Sequence, residues 1–197
     1  MSVKLVLLKT NGLSSSYQQT TATLSRDLVS RLSPRGLFTQ GQLILGTGNP
    51  YTLVNPAHIA CVQVDTQLPL QSTYPPGVES ATQIGDKAAF MTKLDQRWSK
   101  WRKISTGGPG NLFEALIHLE LAGGWEQYVH AIGRFPDRAT ESKVTETLLS
   151  MPVLCVQRPQ NGMNYVNPEA IVRARIYHSN NDPFRPARLL PVDPDEI

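Results

Sequence analysis

Residues 51–64 read YTLVNPAHIACVQV and residues 163–176 read MNYVNPEAIVRARI. An offset of 112 residues lays one on the other without a gap, carrying Asn49 to Asn161, Val54 to Val166, Asn55 to Asn167, Pro56 to Pro168 and Ile59 to Ile171. The matched residues have backbone roles. A residue before proline is pushed out of the helical region, proline presets its own φ, and an Asn side chain can bond the backbone just beyond itself. Each stretch therefore predicts a strand, a sideways step at Asn-Pro, and a closing strand from Ile59 or Ile171. The same offset brings Leu43, Ile44 and Val64 onto Cys155, Val156 and Ile176, so QLIL (42–45) and VLCV (153–156) predict the first arms of two hairpins.

Working outward, VKLVLL (3–8) predicts a strand that ends at the Asn11-Gly12 turn, and LSSSYQQTT (13–21) a loop, or a hairpin tip with weak structure. Leu24, Leu28, Val29 and Leu32 stand at helical spacing before Ser33-Pro34 stops the run, which predicts a short helix over 24–32, with a strand as the alternative. The Pro-rich stretch 68–77 predicts a linker. Residues 86–104, DKAAFMTKLDQRWSKWRKI, predict a helix with Phe90, Met91, Leu94, Trp98, Trp101 and Ile104 on one stripe. A second helix, LFEALIHLELA (112–122), would be capped by Asn111 and stopped by Gly123-Gly124. WEQYVHAIGRF (125–135) alternates like a strand, 141–149 predict a short helix, and the tail 179–197 holds four prolines without periodicity.

The expected class is α+β: two related small β-rich units, barrel-like and similar in architecture to Sm-like and SH3-like modules, joined by two helices in an internal pseudo-duplication. The expected organisation is a first β-rich unit over 1–70, a Pro-rich linker over 71–85, two connecting helices over 86–124, a second β-rich unit over 125–178 and the tail.

Composition sets the class of protein. Hydrophobic residues make up 40% of the 197 and charged residues 18%, as in folded domains. No run of about 18 apolar residues exists, and the start MSVKLVLLKTNG lacks a cleavage-site pattern, so a cytoplasmic location and no membrane association are expected. Cys61 and Cys155 sit in separate apolar runs without metal-ligand spacing and read as reduced, buried thiols.

The net charge is +3, from 19 basic and 16 acidic residues. Between Asp86 and Lys103 stand Lys87, Lys93, Arg97, Lys100, Arg102 and Lys103 against Asp86 and Asp95, so this segment carries the positive excess. Within it QRWSKWRK (96–103) interleaves cations with Trp98 and Trp101, the pairing of phosphate neutralisation with base stacking that single-stranded nucleic acid requires. The same wheel also fits a packed helix whose tryptophans face the core and whose cations are solvated. On the second closing strand Arg173 and Arg175 share a sheet face, and Arg134, Arg138 and Arg158 lie in the same half.

Lys93, Arg97, Trp98, Lys100, Trp101, Arg102, Lys103, Arg173 and Arg175 are thus the candidate contacts with nucleic acid or a protein partner. No catalytic, metal or cofactor signature stands beside them. His58, His118, His130 and His178 share no ligand spacing, Ser14 to Ser16 lack a nucleophile-elbow context, and GTGNP and TGGPGN lack the setting of a phosphate loop. Glu114, Glu120 and Glu126 form no evident acid/base pair if 112–122 is helical. The expected function is non-enzymatic nucleic-acid binding. The alternative is an assembly or adaptor protein that contacts protein partners in a larger complex, a viral or phage-like assembly included, and an enzyme would need a site built from distant residues.

Overall fold

The computed structural model describes residues 2–39, 41–45, 52–101, 112–134, 147–148 and 150–178. These hold eleven strands and two α-helices: β1 (Val3–Lys9), β2 (Ser14–Gln19), α1 (Ala22–Arg31), β3 (Leu43–Leu45), β4 (Thr52–Val54), β5 (Ile59–Thr66), β6 (Val78–Gln83), α2 (Lys87–Trp101), β7 (Leu112–Leu121), β8 (Trp125–Arg134), β9 (Leu154–Arg158), β10 (Gly162–Val166) and β11 (Ile171–His178). Short 3₁₀ turns cover Pro56–His58, Pro159–Asn161 and Pro168–Ala170. No helix among the described residues is long and apolar enough to cross a membrane.

Two separate barrels do not form. Nine strands make one open mixed sheet in the order β11-β7-β8-β6-β9-β10-β5-β1-β2, while β3 and β4 make a hairpin of their own. The halves are stitched by β10, which pairs antiparallel with β5, and by β6, which lies between β8 and β9. The linker expected over 71–85 therefore contains a central strand. The sheet bends so that Ala115, Ile117, Leu119 and Leu121 of β7 share a core with Leu8, Ala60 and Cys61. A second core lies where Leu5, Leu7, Val62 and Val64 meet Leu32 beyond α1, Leu45 and Tyr165.

The helix expected over 112–122 is instead β7, bonded on both sides, to β8 and β11. Its leucines and glutamates are good helix formers, but its alternation also suits a strand: Ala115, Ile117, Leu119 and Leu121 turn to the inner core, and Leu116 to the other face. Partners on both edges decide the matter, as tertiary context does for propensity generally. The expected loop at 13–21 likewise contains β2, a polar strand held by β1. The expected helices at 24–32 and 86–104 are present as α1 and α2; Asp86 Oδ1 accepts the Ala89 N–H at 2.8 Å and caps α2.

The two Asn-Pro steps have one geometry. Asn55 (φ −79°, ψ 114°) and Asn167 (φ −76°, ψ 115°) each accept, through the side chain, the N–H two residues on, and each opens a 3₁₀ turn. The surrounding registers also recur at the offset of 112 residues. Val3 faces Gln19 as Ala115 faces Ala131, and Leu5 faces Val64 as Ile117 faces Ile176. Both closing strands carry a bulge at the second residue, Ala60 in β5 and Val172 in β11. One strand breaks the gapless alignment. Val54 faces Leu43 but Val166 faces Leu154, so Leu43 corresponds to Leu154 and Ile44 to Cys155, one position from where the sequence offset puts them. The turns of β1–β2 and β7–β8 also touch: Gly123, at φ +85°, comes so close that an added Cβ would stand 2.6 Å from Gly12 N and Lys9 O.

Candidate functional site

Of the candidate residues, Lys93, Arg97, Arg173 and Arg175 lie on one surface, the outer face of β7, β8 and β11, over which α2 lies. Phe90 anchors the helix at 2% exposure, its ring centroid 5.2 Å from Tyr128 and 6.0 Å from Tyr177, with Leu94 and Leu116 around it. Met91, expected on the apolar stripe, is exposed. Only the backbone of Trp98, Lys100 and Trp101 is described, and Arg102, Lys103 and Arg138 lie outside the described residues.

On one flank of α2, Lys93 Nζ stands 3.0 Å from His130 Nδ1, His130 Nε2 stands 2.7 Å from Glu114 Oε1, and Arg97 Nε stands 3.0 Å from the same oxygen. An ammonium only donates, so Nδ1 accepts and the neutral imidazole donates from Nε2 to Glu114. Burial, then the neighbouring Lys93 cation, holds His130 below the usual imidazole range against the pull of Glu114. Burial, then Arg97, lowers Lys93. Replacing Lys93→Met removes the cation facing Nδ1, so the His130 midpoint should rise in an NMR titration; an unmoved or lower midpoint would refute this arrangement. Stability supplied by the neutral imidazole is complete above the unfolded value of about 6.5 and is withdrawn as pH falls from there to the lower folded value. The variant should narrow that window.

On the other flank, Glu120 takes a bidentate pair from Arg173 (3.0 and 2.8 Å), with Arg175 at 3.4 Å. The bond from Arg173 holds the Glu120 carboxyl below its usual range. Next to it His118 stacks on Tyr128 at 4.8 Å and bonds Glu126 at 3.2 Å, and the Tyr128 hydroxyl donates to Glu126 at 2.8 Å. Burial and that carboxylate push the Tyr128 phenol up to about 12. His118, Glu120 and Glu126 bring one ligand atom each within 4.8 Å of one another. Two guanidinium groups on Glu120, and donors already on Glu126, make this an internally neutralised ion-pair net rather than an open cation site. Cys61 and Cys155 are free and buried, their thiols pushed up to about 12 and about 11 by burial, which makes them poor nucleophiles.

Four candidate cations with described side chains, Lys93, Arg97, Arg173 and Arg175, thus turn to acceptors of the protein itself. Arg134 and Arg158 also have acidic neighbours, Glu79 at 3.6 Å and Asp65 at 2.7 Å. Reading 112–122 as a helix concealed both histidine clusters. The Gly-Gly turn was the signal that could have found them, because a hairpin around it puts His118 opposite Tyr128 and Glu120 opposite Glu126.

The face ends at β11, an edge strand that bonds β7 and no other strand among the described residues. Val172, Arg173 and Ala174 are exposed in succession, Val172 at 72%. At the corresponding positions of β5 the residues Ala60, Cys61 and Val62 are all buried, Ala60 and Cys61 in the first core and Val62 in the second, and β5 also has β10 on its other side. The β3–β4 hairpin shows the complementary deficit. Leu53 is 50% and Ile44 57% exposed, whereas Tyr165, which corresponds to Leu53 in β10, is fully buried.

No protein-family model matches the chain, and neither a curated protein nor a solved structure matches it.

Proposed function

We propose that this chain is a non-enzymatic assembly protein, built of two related halves, that docks a protein partner by adding a strand to its β11 edge. The observation that carries the reading is the open edge of β11, where Val172–Ala174 are exposed, whereas their counterparts on β5, which has β10 on its other side, are buried. An unpaired strand edge offers a row of backbone donors and acceptors to another chain, and strand addition is a general mode of protein recognition. Equal registers, equal bulges and equal Asn-Pro steps at one offset support the relation between the halves. Nucleic-acid binding, supported by the charge of residues 86–103, stands second, since Lys93 and Arg97 there already face His130 and Glu114.

The test is affinity isolation from the cells that make the protein, with wild type beside Ala174→Pro, which removes an edge N–H. A protein complex of fixed stoichiometry that withstands nuclease and is lost in the variant is expected. A complex that dissolves on nuclease treatment would favour the nucleic-acid reading, and one retained in full by the variant would overturn the edge as the docking surface.

A further inference from the structure

Resting on that reading, we infer that the strand received by β11 is β4 of a second copy of this chain, so that copies join head to tail. The template is inside the molecule. On β5, the strand β10 runs antiparallel with Asn164 opposite Gln63, Tyr165 opposite Val62 and Val166 opposite Cys61. At the offset of 112 residues β10 becomes β4 and β5 becomes β11, which places Thr52 opposite Arg175, Leu53 opposite Ala174 and Val54 opposite Arg173. Within one chain β4 bonds only β3, and β11 only β7 among the described residues, so each has an open edge.

Side chains and backbone agree with this pairing. Asn167 closes the β10–β5 junction twice over: its backbone N–H donates to Ala60 O at 3.0 Å and its Nδ2 to Ile59 O at 3.0 Å. Asn55 has the same conformation and the same acceptor bond from Ala57, yet it is exposed. The corresponding acceptors, Val172 O and Ile171 O, lie on β11. Exposed Leu53 on the donor and Val172 on the recipient both lie in this contact, and their counterparts in the β10–β5 template, Tyr165 and Ala60, are fully buried. The contact is heterologous, using two different surfaces, so it propagates from copy to copy into a ring or a filament.

The two ends of such a contact can be blocked separately. Leu53→Lys disables the donor and leaves β11 intact. Ala174→Pro disables the recipient: on β5 the Ala60 carbonyl faces β10 and Val62 follows it by two, so Ala174 presents its N–H to the open edge and not to β7. By light scattering and native mass spectrometry of the purified full chain, wild type should form assemblies of several copies. Each variant alone should remain at 21.8 kDa, and an equal mixture of the two should give a dimer and nothing larger. That dimer also shows that both variants fold; Val172→Lys replaces Ala174→Pro if circular dichroism shows the latter unfolded.

Wild type that stays monomeric at all concentrations overturns the self-pairing, while a partner captured through the β11 edge in cells would leave the assembly reading standing. An oligomer kept by Leu53→Lys but lost by Ala174→Pro would mean edge-to-edge pairing of two β11 strands and also overturns it. A monomer that assembles only after removal of residues 179–197 assigns the edge to the chain's own tail instead.

Discussion

Phe90→Ala should cost about 3–5 kcal/mol in urea unfolding, the range for truncating a buried aromatic side chain. The phenyl ring is the wedge by which α2 holds to the sheet. It is 2% exposed, within 6.0 Å of the Tyr128 and Tyr177 centroids and 6.3 Å from His118. Removal leaves a cavity bounded by Leu116 at the sheet surface, where strands bonded on both sides resist collapse. Met91, one residue on and exposed, is the control: Met91→Ala should change stability by no more than about 0.5 kcal/mol. The loss should not stop at packing. Lys93 and Arg97 lie one and two turns beyond Phe90 on the same helix, so loosening α2 also frees Glu114 and His130 from their helix partners. Equal stabilities for Phe90→Ala and Met91→Ala would mean that α2 is not held on this face by its aromatic wedge.

What could be read from residues alone follows the range over which each signal acts. The Asn-Pro steps are legible because their geometry is set by the local chemistry of two side chains, and both occur where the sequence puts them. The hairpins β3–β4 and β9–β10 are legible from apolar runs around turn residues, although their registers differ by one residue. β2 is not legible, because SSSYQQ has no apolar face and owes its extension to β1. β6 is hidden in a short, mostly polar run, VESATQ, that counts as a strand only between β8 and β9. β7 satisfies helix and strand templates at once, and its error carried both histidine clusters with it, since they exist only across the β7–β8 pairing. The candidate site was therefore half visible: Arg173 and Arg175 are named by alternation on one strand, but Glu120, which holds both, belongs to the misread segment.

Asn167→Ala and Asn55→Ala, identical in chemistry and in backbone, should differ sharply in effect. Asn167 is 3% exposed; its Oδ1 accepts from Glu169 N–H at 3.1 Å and its Nδ2 donates to Ile59 O at 3.0 Å. Alanine there removes the turn cap and strands a carbonyl in the junction of β10 with β5, where water cannot easily replace the lost donor. Loss of a cap and of a buried bond together should cost about 2–4 kcal/mol, read from denaturant unfolding. At Asn55 only the bond from Ala57 N–H is lost, at an exposed position, and about 0.5–1 kcal/mol is expected. Matching losses at the two sites would mean that burial at the β10–β5 junction does not set the difference. The contrast extends to association. If a second copy supplies to Asn55 the acceptor that Ile59 supplies to Asn167, then Asn55→Ala should leave the isolated chain almost as stable as before while weakening the bond between copies, because its missing partner is on another molecule.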